Sequence, residues 1–91
     1  MKIICRGILE EFKRKHPDVR SQVDAWLADV FATTWSTTMD IKRRYASASF
    51  VNDDVIFNLK GNKYRLKVQV NYKNQIVLIK AIGTHDQYMK W

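Results

Sequence analysis

From Lys63 to Tyr72 the chain alternates without a break, with Lys63, Arg65, Lys67, Gln69 and Asn71 on one side and Tyr64, Leu66, Val68, Val70 and Tyr72 on the other. A period of two marks a half-buried strand, because successive side chains of an extended chain point to opposite faces. One face of this segment must be covered by the rest of the chain and the other stays polar. Solubility alone needs only Thr, Ser or Glu, and a face of mixed sign repels itself less. A face of Lys, Arg and amides is suited to holding an anion.

The flanking segments complete a meander. Val55, Phe57 and Leu59 share a face of the preceding strand, and Gly61-Asn62 supplies a two-residue loop in which positive φ is required. Lys73-Asn74 is a second such turn, and Gln75 to Gly83 is a strand apolar on both faces and therefore interior. With two-residue loops, Asn58 faces Arg65, Ile56 faces Lys67, and Lys67 faces Lys80, while Leu66, Val68 and Val70 face Ala81, Ile79 and Val77. Lys67 beside Lys80 is unfavourable by a few tenths to about 1 kcal/mol, so a bound anion is expected to relieve it. Upstream, Met1 to Cys5 is a short apolar segment able to pair as a strand, and Ile8, Leu9 and Phe12 recur at helical spacing. His16-Pro17-Asp18 ends that helix and starts another, along which Val19, Val23, Trp26, Leu27, Val30 and Phe31 trace an apolar stripe. Asp40 to Tyr45 makes a short helical turn presenting Lys42, Arg43 and Arg44. The expected fold class is α+β, with two N-terminal helices packed on a twisted antiparallel β-sheet, a short C-terminal helix, and one domain over residues 1–91.

Charge concentrates the interest in the second half. Residues 1–40 carry six basic and six acidic side chains, whereas residues 41–91 carry ten basic and three acidic, which accounts for the whole net charge of +7. Phosphate is the commonest partner of such a surface. A membrane surface is the weaker reading, since polybasic membrane binders also expose an apolar helix face. The lone Cys5 excludes an internal disulfide, and Ile3-Ile4-Cys5 is too short for a signal core or a span, so a cytoplasmic location with no membrane partner is expected.

Gly83-Thr84-His85-Asp86-Gln87-Tyr88 follows the last strand. Thr84 and Gln87 have capping-box spacing, which starts a helix at His85 and places Tyr88 nearly one turn along on the same side. An imidazole there is a candidate proton carrier, and the helix start offers N–H groups to a phosphate. Each residue alone has a plainer reading: a structural histidine, an edge-covering Tyr88, a solvated Lys42-Arg43-Arg44 face, and Tyr64 and Tyr72 in the core. Their combination with a basic sheet favours chemistry. No Cys or His pair has zinc-ligand spacing, no glycine-rich phosphate loop follows a strand, and Asp53, Asp54 and Asp86 are too scattered for a two-metal site. Cleavage chemistry, if any, is therefore expected to be metal-independent.

Asp40-Ile41-Lys42, Ser47-Ala48-Ser49-Phe50, the run Phe57 to Leu66, Val70-Asn71-Tyr72, and Gly83-Thr84-His85 with Tyr88 and Lys90 resemble the HigB-type toxins of bacterial type II toxin-antitoxin systems, within the RelE superfamily. The resemblance covers most of the chain. It implies a RelE-like fold and an mRNA interferase, an endoribonuclease that cleaves messenger RNA on the ribosome and so inhibits translation. It implies no cofactor, and a cognate antitoxin, commonly a helix-turn-helix protein of the HigA kind, to which Trp26, Trp35 or Trp91 would offer apolar contacts if exposed. Gln87 and Met89 stand where many relatives carry acidic residues, so proton transfer is expected to rest on His85 and Tyr88. Arg65 is the expected transition-state residue, its planar fork holding two phosphate oxygens. Arg43, Arg44, Lys60, Lys63, Lys67 and Lys80 are the expected RNA-backbone contacts. A non-catalytic RNA-binding module, or an interaction subunit docking an acidic protein through the same face, are the alternatives.

Overall fold

The computed structural model describes residues 1–61 and 63–88. Strand β1 (Lys2–Ile4) leads into helix α1 (Gly7–Lys15), a 3-10 turn (Pro17–Val19), α2 (Arg20–Ala32) and α3 (Thr38–Arg44). Strands β2 (Ser49–Val51), β3 (Asp54–Leu59), β4 (Tyr64–Asn71) and β5 (Ile76–Thr84) follow, and α4 (His85–Tyr88) closes the described chain. The sheet order is β1-β5-β4-β3-β2. β5 is interior, as expected from its two apolar faces. The expected antiparallel sheet behind two N-terminal helices is corrected in two respects. β1 pairs parallel with β5, which a strand preceding the helices can do once the helices carry the chain over one face. The helical turn expected from Asp40 to Tyr45 is helix α3, which makes three helices rather than two ahead of the meander and is started by a capping box in which the Thr37 hydroxyl and the Asp40 carboxylate cap each other's backbone N–H.

The alternation along β4 divides the sheet as read. Leu66 and Val68, with Val77 of β5, are fully buried under the helices together with Leu9, Val23, Trp26 and Ile41. Phe57 of β3 is the centre of this packing: its ring lies 5.4 Å from Trp26 of α2, 6.1 Å from Trp35 of the connector and 5.1 Å from Tyr45 at the end of α3. Trp26 and Trp35 are buried, so neither offers an exposed contact to a partner, and Trp91 lies outside the described residues. Two positions of the helical stripes face outward instead: Ile8 is 37 % exposed and Phe31 51 %, the latter under the Arg6 guanidinium.

The first hairpin has the expected register, Asn58 opposite Arg65 and Ile56 opposite Lys67, with Gly61 at φ 66°; Asn62 lies outside the described residues. In the second, Val70 pairs with Val77 and Val68 with Ile79 as expected, but a bulge at Lys80 then shifts the register. Lys67 faces Ala81 and Leu66 faces Ile82, so the expected Lys67–Lys80 and Leu66–Ala81 pairs do not form. The shift has a physical reason. Unbulged, the ladder would set two ammoniums side by side and bring Ile82 onto the polar face beside Arg65; the extra residue sends Ile82 to the core side and leaves Gly83 beside Arg65.

The junction of α1 and α2 is tied to the β3–β4 hairpin through Asp18. Its carboxylate accepts from Tyr64 Oη at 3.0 Å and from Lys63 Nζ at 2.9 Å, and lies 3.3 Å from Lys60 Nζ. The Tyr64 hydroxyl lies 3.5 Å from His16 Nδ1, and the His16 ring stacks on Phe12 at 4.2 Å. Lys63, then Tyr64 and Lys60, hold the Asp18 carboxyl far below the usual carboxylate range.

Phe57→Ala should cost roughly 3 to 5 kcal/mol, a large part of the stability of so small a domain, and urea titration reads it directly. Because Asp18 titrates lower folded than unfolded, its contribution is present above about pH 4 and is lost as pH falls further. Thermal melts from neutral pH down to about pH 2 should therefore fall more steeply for the wild type than for Asp18→Asn.

Candidate functional site

Arg65, His85 and Tyr88 are brought together at one end of the sheet. Arg65 stands on the face of β4 away from the helices, between Asn58 of β3 and Gly83 of β5, and is only 9 % exposed. Its guanidinium carbon lies 5.5 Å from the centre of the Tyr88 ring, and Nη1 reaches the Tyr64 carbonyl at 3.4 Å. The His85 and Tyr88 rings are 6.5 Å apart and inclined by 33°. His85 is exposed, while Tyr88 is partly covered.

The sequence folds this way locally because α4 is capped at its first turn. Thr84 N–H donates to Gln87 Oε1 at 2.8 Å, and Gln87 N–H donates to Thr84 Oγ1 at 3.3 Å, the reciprocal pair read from the Thr-x-x-Gln spacing. The expected offer of free amides at this end is reduced, since His85 N–H already donates to the Lys63 carbonyl at 3.0 Å. That bond fastens α4 to the start of β4. Gly83 is part of the same device, because a Cβ there would run into the folded-back Gln87 side chain.

Lys67 and Lys80 extend the Arg65 face along the sheet, and Asp54 lies between them. Asp54 Oδ1 accepts from Lys80 Nζ at 2.9 Å, and Oδ2 lies 3.5 Å from Lys67 Nζ. Lys80, then Lys67, lower the Asp54 carboxyl below its ordinary range. The anion expected to relieve these cations is thus supplied by the chain itself, from a residue whose role the spacing did not reveal. Phase along β3 was the available signal: Asp54, Ile56 and Asn58 alternate with the buried Val55, Phe57 and Leu59 and so share the Arg65 face.

The other cations are placed elsewhere. Lys60 and Lys63 turn from the hairpin tip toward Asp18 at the helix junction. Arg43 and Arg44 belong to α3, whose Ile41 is buried among the helices. Arg43 Nη1 lies 3.2 Å from Asp40, and Arg44 Nη2 lies 2.6 Å from Asp29 and stacks over Tyr45. Both line a hollow of about 280 Å³ with Asp29, Thr33, Thr34, Trp35 and Asp40. Among the described residues no three His, Cys, Asp or Glu side chains converge as metal donors. No helix among them is long and apolar enough to cross a membrane.

A search of curated proteins finds no match to the chain. A family model described as HigB_toxin, the RelE-like toxic component of a toxin-antitoxin system, matches residues 19–91. That span takes in α2, α3, the four strands of the meander and α4, together with Arg65, His85 and Tyr88. Membership implies an antitoxin as partner, and the chain belongs to the HigB family of RelE-like toxins.

Proposed function

We propose that this toxin is a metal-independent endoribonuclease that cleaves messenger RNA, acts on the ribosome in the cytoplasm to inhibit translation, and is silenced by a helix-turn-helix antitoxin. The observation that supports the reading is the convergence of a largely buried guanidinium, an imidazole and a phenol: Arg65 lies 5.5 Å from the Tyr88 ring, and Tyr88 lies 6.5 Å from the His85 ring.

RNA carries its own nucleophile. The 2′-oxygen attacks the adjacent phosphorus and the bond to the 5′-oxygen breaks, leaving a 2′,3′-cyclic phosphate and a 5′-hydroxyl. The 2′ proton must leave and the 5′-oxygen must gain one, a task for His85 and Tyr88. Charge builds on the non-bridging oxygens meanwhile, and Arg65 can hold two of them in its fork. Its position helps. A cation already fixed between two strands need not be ordered as the reaction proceeds.

Arg65→Ala should lower cleavage about 10²- to 10³-fold, as loss of one charge-stabilising donor does elsewhere. His85→Ala and Tyr88→Phe should each cost about 10²-fold or more, with circular dichroism unchanged. Mapping new 5′ ends on message incubated with protein and ribosomes, with and without chelator, reads these effects. Wild-type cutting in all three variants would overturn the site, and message that is bound yet never cut would mark an RNA-binding module instead. Gly83→Ala should displace the Gln87 amide from Thr84 N–H and lower cleavage through the loosened α4, while the global melting temperature moves by only a few degrees.

A further inference from the structure

Asp54 lies between Lys67 and Lys80, two of the expected RNA-backbone contacts, with only 15 % of its side chain exposed. Three adjacent strands each contribute one group: Asp54 from β3, Lys67 from β4 and Lys80 from the bulge of β5. Each carboxylate oxygen engages a different ammonium, at 2.9 and 3.5 Å. Two non-bridging oxygens of a phosphodiester would address the same two ammoniums in the same way. Lys67 shares its face with Arg65 two residues before it, so a strand of RNA seated at Arg65 would pass over this pair. Both lysines keep part of their surface, at 26 % and 37 % exposed, so an incoming phosphate can reach them.

Resting on the ribonuclease reading, we propose that Asp54 is an internal counter-ion that the RNA backbone displaces from Lys67 and Lys80. The carboxylate holds two like charges in place without a ligand, and competition with it weakens the pair's grip on polyanions not also held at Arg65. Asp54 is therefore a specificity residue, acting through the lysines it holds.

The test is Asp54→Asn, which keeps the shape and removes the charge, with binding of a 2′-O-methyl RNA oligonucleotide followed by anisotropy across a salt series. Affinity at low salt should rise about three- to fivefold, the scale of one or two surface ion pairs, with a steeper salt dependence. Lys80→Ala should then lower binding more in the Asp54→Asn background than in the wild type. Unchanged affinity and slope, or weaker binding by Asp54→Asn, would overturn the proposal. Should that variant fail to fold, carbon-detected NMR of wild-type Asp54 decides: its titration should move up toward the ordinary carboxylate range when RNA binds, and an unmoved titration overturns the idea. Binding that responds as stated while message stays uncut would remove the ribonuclease reading and leave the counter-ion standing; intact cutting with no response does the reverse. No RNA binding by either protein would remove both.

Discussion

The packing of Phe57 against Trp26, Trp35 and Tyr45 is the contact on which the rest of the molecule depends. It joins α2, the connector and the end of α3 to one face of the sheet, and it sets the phase of β3. Since side chains alternate, a slip of one residue along β3 would bring Ile56 and Asn58 under the helices and turn Phe57 and Leu59 to the opposite face. Burial of the aromatic face thus decides where the cations stand. The polar face is defined by what the core excludes.

Within that frame, irregularity rather than regular pairing shapes the site. A meander with an unbroken ladder would set Lys67 against Lys80 and leave Ile82 beside Arg65. The bulge takes Lys80 out of direct pairing with Lys67, though both ammoniums still meet at Asp54; Ile82 joins the core side, and Gly83 gives Arg65 a neighbour without a side chain. Gly83 also leaves room for Gln87 to fold back onto Thr84, so one small residue serves both the guanidinium and the cap of α4. The result is a guanidinium mostly withdrawn from water beside the Tyr88 ring, which concentrates its charge on whatever anion replaces solvent there.

The fold also redistributes charge that the linear chain keeps apart. The surplus of +7 lies in residues 41–91, yet carboxylates from the first forty residues reach across to it, Asp18 to Lys60 and Lys63 and Asp29 to Arg44, while Asp40 pairs with Arg43 within α3. These pairs are exposed and individually weak. Collectively they draw the hairpin tip and α3 toward the helical layer, so the basic half is not one continuous surface. Lys67 and Lys80 are the members of the expected set that remain on the Arg65 face.

The sequence alone determined whatever depends on near neighbours. Strict alternation over Lys63 to Tyr72 sorted the faces of β4, Pro17 and Asp18 marked the break between helices, and Thr84 with Gln87 located the start of α4, because periodicity and capping act over a few residues of backbone. Tertiary structure decided what depends on distance along the chain. The parallel pairing of β1 with β5, the outward turn of Phe31, the bulge at Lys80 and the carboxylate between Lys67 and Lys80 each arise where segments far apart in sequence compete for the same space or charge. Spacing carries no record of that competition, since its outcome is set by how the core closes over Phe57.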